Sequence, residues 1–113
     1  MNEELQLDQS TLVNVWQQEL PEYLNPGDSA QVQADAADPK GLRVHINAAG
    51  RQFYSFDFYC SYLDQRELQV NLVDVERRGA TVDENHDVIQ EMTAHYVRNI
   101  HECAQALQRY TNP

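Results

Sequence analysis

An α+β fold in two layers is what the sequence predicts. It has an N-terminal helix, a four-stranded antiparallel meander in the order 1-2-3-4, and a long C-terminal helix, with both helices on one face of the sheet. Three observations predict it. Four consecutive segments alternate apolar and polar residues with period two. In all four the apolar residues are even-numbered. Both ends of the chain instead place apolar residues at spacings of three and four, the period of an amphipathic helix.

Ser10 is the expected N-cap of the first helix, which runs to Leu20 through Leu12, Val15 and Trp16. Pro21 ends it or opens another turn through Tyr23 and Leu24. Asn25 to Asp28, Asn-Pro-Gly-Asp, reads as a turn.

In the first strand Val32, Ala34 and Ala36 alternate with Gln31, Gln33 and Asp35. The second carries Leu42, Val44 and Ile46 between Arg43 and His45. Residues 53 to 64, FYSFDFYCSYLD, form the third. Its even set, Tyr54, Phe56, Phe58, Cys60 and Tyr62, is apolar throughout, whereas the odd set includes Ser55, Asp57 and Ser61. A stacking platform for bases needs exposed aromatics with basic neighbours, so the crowded aromatics read as core wall. Leu68, Val70 and Leu72 mark the fourth strand.

Paired residue numbers must sum to an even value if all even residues share a face, which requires loops of odd length. Ala37 to Gly41 sets Ala34 opposite Val44, and Ala48-Ala49-Gly50 sets Asn47 opposite Arg51, Val44 opposite Tyr54 and His45 opposite Phe53. Asp64-Gln65-Arg66 sets Cys60 opposite Val70, Phe58 opposite Leu72 and Asp57 opposite Val73. Val73 and Val75 break the even rule, which predicts a bulge or apolar residues on the outer face.

Thr81 and Glu84 have the spacing of a capping box. Ile89, Met92, Tyr96, Ile100, Cys103, Leu107 and Tyr110 continue the helical stripe, so the last helix is expected over residues 82–110. At that length it spans about 42 Å and outruns an eight-residue strand of about 27 Å. The overhang, with an outer stripe of Phe53, Tyr59, Val73 and Val75, predicts a homodimer.

The chain has 113 residues, 42% of them hydrophobic, enough for one domain with its own core. No linker divides it, so the domain is 1–113, with residues 1–8 as a flexible lead. The N-terminus has no basic region followed by an apolar run, and the pattern is not that of a secretory signal. Cys60 and Cys103 fall on core faces and read as free thiols of a cytoplasmic protein.

Net charge is −10, and residues 1 to 38 hold eight acids and no Lys or Arg. Such a field repels nucleic acid and anionic membranes and attracts cations. The chain has no Gly-rich phosphate loop, Cys-x-x-Cys or His-Glu-x-x-His motif. No catalytic residue, cofactor or metal is expected. Glu91, His95 and Glu102 share a helix face but read as a polar surface row.

The expected function is that of a small acidic cytoplasmic binding module, a regulator, inhibitor or chaperone, engaging a basic protein partner. One version is a DNA mimic. The expected contact residues are Glu19, Glu22, Asp28, Asp35 and Asp38 from the acidic third, with Phe53, Asp57 and Tyr59 on the outer sheet face. The alternative is a small enzyme or ligand binder that uses the outer face, with His45 and Asp57 as diagonal neighbours.

Overall fold

Helix α1 spans Gln9–Glu19 in the structure, a computed structural model that describes residues 7–50 and 53–112. Its N-cap is Asp8, not Ser10: the Asp8 carboxylate accepts the Thr11 N–H at 2.8 Å. A carboxylate serves better than a hydroxyl where free N–H groups carry the positive end of the helix dipole. Residues 1–6, most of the expected lead, lie outside the described residues. Pro21 opens a further turn, a 3-10 helix over Leu20–Tyr23. Its fixed φ and missing N–H suit the first turn of a helix, where it is the second residue.

Five strands follow: β1 (Ser29–Ala34), β2 (Gly41–Asn47), β3 (Tyr54–Tyr62), β4 (Leu68–Arg77) and the two-residue β5 (Ala80–Thr81). They form one antiparallel sheet in the order β1-β2-β3-β4-β5. The α+β class and the meander are as expected. The fifth strand is an addition, and it takes Thr81, which therefore caps nothing.

Every strand keeps the expected face, but two registers differ. Val44 lies opposite Val32 and Phe58, Leu42 opposite Ala34 and Cys60. The β1–β2 loop is therefore Ala36–Lys40. The β2–β3 loop closes through the Ala48 N–H to Tyr54 C=O bond, and Asn47 lies opposite Ser55 rather than the expected Arg51. Both loops remain odd in length, so the even residues still share a face. The β3–β4 register is as read: Cys60 opposite Val70, Phe58 opposite Leu72.

The odd-numbered valines resolve into a bulge. Pairing shifts by one residue after Phe58–Leu72, so that Asp57 meets Asp74 and Phe56 meets Val75. Val73 is the extra residue and is exposed, while Val75 is fully buried. Val75 is thus core, not outer stripe.

The C-terminal helix, α2, covers Asp87–Ala106, with His86 as N-cap, and a last turn, α3 (Gln108–Thr111), follows. It spans about 30 Å and the ten-residue β4 about 33 Å, so there is no overhang of the kind expected. Both helices pack on the even face. The Trp16 indole N–H donates to Tyr62 Oη at 3.1 Å, and the Tyr96 ring lies 5.1 Å from that of Phe56. Leu12, Leu20, Ile46, Phe58, Ile100 and Leu107 join them in one core. Cys60 and Cys103 sit within it as free thiols, each pushed up by burial to about 12.

Candidate functional site

The outer face of the sheet is not covered by either helix, and it is where the polar chemistry gathers. Period-two alternation delivers Arg43 and His45 from β2 and Asp57 and Tyr59 from β3. The bulge then changes which residues β4 contributes. Past Val73 the even residues Asp74 and Glu76 turn outward. Carboxylate oxygens of Asp57, Asp74 and Glu76 all lie within 4.8 Å of one another, each residue partly exposed.

His45 stands directly opposite Asp57, with Nδ1 at 2.6 Å from Asp57 Oδ1. They are not the diagonal neighbours expected, because β2 pairs with residues of β3 four positions further along than the loop lengths implied. The other ring nitrogen lies 3.2 Å from Asn47 Oδ1. Gln31, Gln33, Arg43, His45, Asp57, Val73 and Asp74 line a shallow depression of about 470 Å³. Arg43, the basic residue in that lining, turns to Asp35, its Nε donating to Oδ1 at 2.8 Å. Among the described residues no Lys or Arg forms an ion pair with Asp57, Asp74 or Glu76. Nearby cations lie on rings instead: Arg77 over Tyr54 at 5.8 Å and Arg78 over Phe53 at 4.8 Å.

Of the expected acidic-third residues, Asp35 and Asp38 reach side chains of this face, Arg43 and Tyr59, while Asp28 bonds to Tyr96 of the C-terminal helix. Asp28 accepts the Asn25 and Ala49 N–H groups and the Tyr96 hydroxyl. Asp35 is buried and accepts the Ala37 and Asp38 N–H groups as well as Arg43. Asp38 accepts the Lys40 N–H, Tyr59 Oη at 2.5 Å and Ser61 Oγ at 2.7 Å. These hydroxyl donors hold the Asp38 carboxyl below its ordinary value, and the Asp38 carboxylate raises that of Tyr59. Three of the five acids thus organise turns. Glu19 lies at the end of α1, 3.9 Å from Arg109, and Glu22 is exposed on the 3-10 turn.

Neither Phe53 nor Tyr59 lines the depression, and their settings differ. Tyr59 is tied down by Asp38, whereas Phe53 is 59% exposed. Phe53 also adopts φ 56°, as Arg78 adopts φ 55°, and the Arg78 N–H bonds to Phe53 C=O at 3.1 Å. A left-handed backbone is costly for a bulky side chain, so this pair is held by its surroundings.

Asp74 and Glu76 are the site residues that the alternation alone does not reveal. Their signal is in the sequence nonetheless: two acids fall at even, core-side positions while the valines between and beside them fall at odd ones. No family model matches the chain, and neither a curated protein nor a solved structure matches it.

Proposed function

We propose that the protein is a non-enzymatic binding module whose outer sheet face engages a cationic segment of a protein partner. The observation that carries this reading is the meeting of Asp57, Asp74 and Glu76, to which no Lys or Arg is paired among the described residues. Two like charges 4 Å apart repel by about 1 kcal/mol even in water. A guanidinium or ammonium group placed among three of them converts that repulsion into attraction. Exposed Val73, next to Asp74 in the lining of the depression, offers apolar contact for the stem of such a residue. A DNA mimic needs carboxylates free of internal partners, whereas Asp28, Asp35 and Asp38 each hold backbone N–H groups. The reading is therefore a cation-accepting patch on the sheet.

The test is fluorescence anisotropy with a labelled arginine-rich peptide at 50 and 500 mM salt. Wild-type binding is expected to weaken steeply with salt. Asp57→Asn, Asp74→Asn and Glu76→Gln together are expected to abolish it. Glu84→Gln, Glu91→Gln and Glu102→Gln, an equal charge change on residues exposed at and before α2, are expected to leave most of it. Equal losses in both triple variants overturn the reading in favour of net charge alone.

A second reading has one observation in its favour. The His45–Asp57 contact inside the depression suits a small polar ligand as well as a side chain. Competition of the peptide by a small amine or guanidine, with tighter binding of the small molecule, is the outcome that favours it.

A further inference from the structure

The two edges of the sheet are built differently. At the β1 edge, Gln17 of α1 reaches across, its Nε2 donating to Ala30 C=O at 2.9 Å and its Oε1 accepting the Val32 N–H at 2.7 Å. The side-chain amide occupies the positions that another strand's backbone would take. The opposite edge has no such seal. β5 pairs only with Glu76 and Arg77, and Val82 adds one bond to Val75. From Leu68 to Val73, β4 has β3 on one side and no hydrogen-bonded neighbour on the other among the described residues.

The Leu63 N–H to Glu67 C=O bond fixes which groups are open. Hydrogen-bonded and non-hydrogen-bonded pairs alternate along an antiparallel ladder. Gln69 and Asn71 therefore bond to β3, and Leu68, Val70 and Leu72 present their N–H and C=O groups outward. Exposed edges are commonly guarded by Lys, Pro or inward charges. This one reads Leu-Gln-Val-Asn-Leu-Val and contains none of these.

We propose that a second copy of this chain pairs with this edge, two β4 strands running antiparallel about a twofold axis at Val70. Leu68 then faces Leu72 of the other copy, giving about six inter-chain hydrogen bonds. Because the open residues are all even-numbered, the pairing sum is even, and the two core faces fall on the same side of one continuous sheet. Val70 and Leu72, core-side residues only half-buried in the monomer, gain cover there. Arg66 of one copy comes to the end of the seam that carries Asp74 of the other, so the charges at the rim complement each other. The central six residues are uncharged, which matters for two chains of charge −10. A foreign strand has no comparable constraint to match, and the self-complementary register is the reason for choosing a copy.

Light scattering decides it. Wild type at about 100 µM is expected near twice the 13.1 kDa chain mass, with the dimer favoured by salt because screening relieves the repulsion between acidic copies. Gln69 and Asn71 are exposed and meet across the seam. Gln69→Glu with Asn71→Glu is expected to give a monomer with an unchanged melting curve at low concentration. Mixing it with the Gln69→Lys, Asn71→Lys variant is expected to restore the doubled mass. A wild type that stays at 13.1 kDa in 500 mM salt overturns the proposal. So does a dimer that both variants leave intact, since it must use another surface.

Discussion

Replacing Gln17 by Ala removes the two hydrogen bonds that seal the β1 edge and touches no core residue. A net protein hydrogen bond contributes about 0.5–1.5 kcal/mol. Water can reach the freed Ala30 C=O and Val32 N–H at an edge, which places each bond in the lower part of that range. The expected loss is about 1–2 kcal/mol. For a chain near 100 residues, 1 kcal/mol moves the midpoint by about 4–5 °C, so thermal unfolding followed by circular dichroism is expected to shift down by about 5–10 °C. Gln17→Glu is the sharper variant. Its carboxylate still accepts the Val32 N–H but cannot donate to Ala30 C=O, and two acceptors then face each other. At pH 7 it is expected to be less stable than Gln17→Ala. Below about pH 4.3 the acid protonates, regains a donor, and the order of the two variants reverses. If Gln17→Ala unfolds at the wild-type midpoint, or Glu is the better residue at pH 7, the amide is a bystander and the edge is not sealed by it.

Phe58→Ala deletes a fully buried ring on the central strand and is expected to cost at least about 3 kcal/mol, read by chemical denaturation. Tyr62 and Tyr96 are raised above the ordinary tyrosine value, chiefly by burial, with Asp28 adding to the effect at Tyr96. Their contribution is complete below about pH 10 and is lost as pH rises above it, so alkaline unfolding is expected to begin later in Tyr96→Phe than in wild type. The depressed Asp38 carboxyl works in the other direction. Its contribution is present above about pH 3.9 and is lost as pH falls below it, and Asp38→Asn is expected to flatten the acid limb of the stability curve.

Faces were legible in the sequence and two of the registers, β1–β2 and β2–β3, were not, and parity is the reason. A slip of two or four residues leaves every side chain on its face, so alternation alone does not choose among such slips. It placed Val44 against Tyr54 rather than Phe58. The β3–β4 register was legible because Asp64 closes that turn tightly, its carboxylate accepting the Arg66 and Glu67 N–H groups. The β2–β3 loop, by contrast, extends to a left-handed Phe53, which residue preference does not anticipate. At the candidate site, Asp57 and His45 were visible as outer-face residues, but their contact depended on the register. Asp28, Asp35 and Asp38 carry the same formal charge as the patch acids, and composition does not separate a carboxylate that closes a turn from one that faces solvent. On α2, the Thr81–Glu84 spacing imitates a cap, but Thr81 lies in β5, whose pairing partners come from β4.

The bulge at Val73 also gives β4 an unusual grammar of length. Alternation in a strand behaves as a reading frame of two, and Val73 is its single frameshift. Deleting this residue restores regular alternation and leaves Leu72, Asp74, Val75 and Glu76 each on its present face. Deleting Gln69 instead carries Asn71 toward the core and Val70 out of it. Loss of one residue is therefore absorbed at the bulge and propagates when it occurs nearer the start of the strand. Tolerance of length change along β4 is set by phase and is largely independent of how exposed a given residue is.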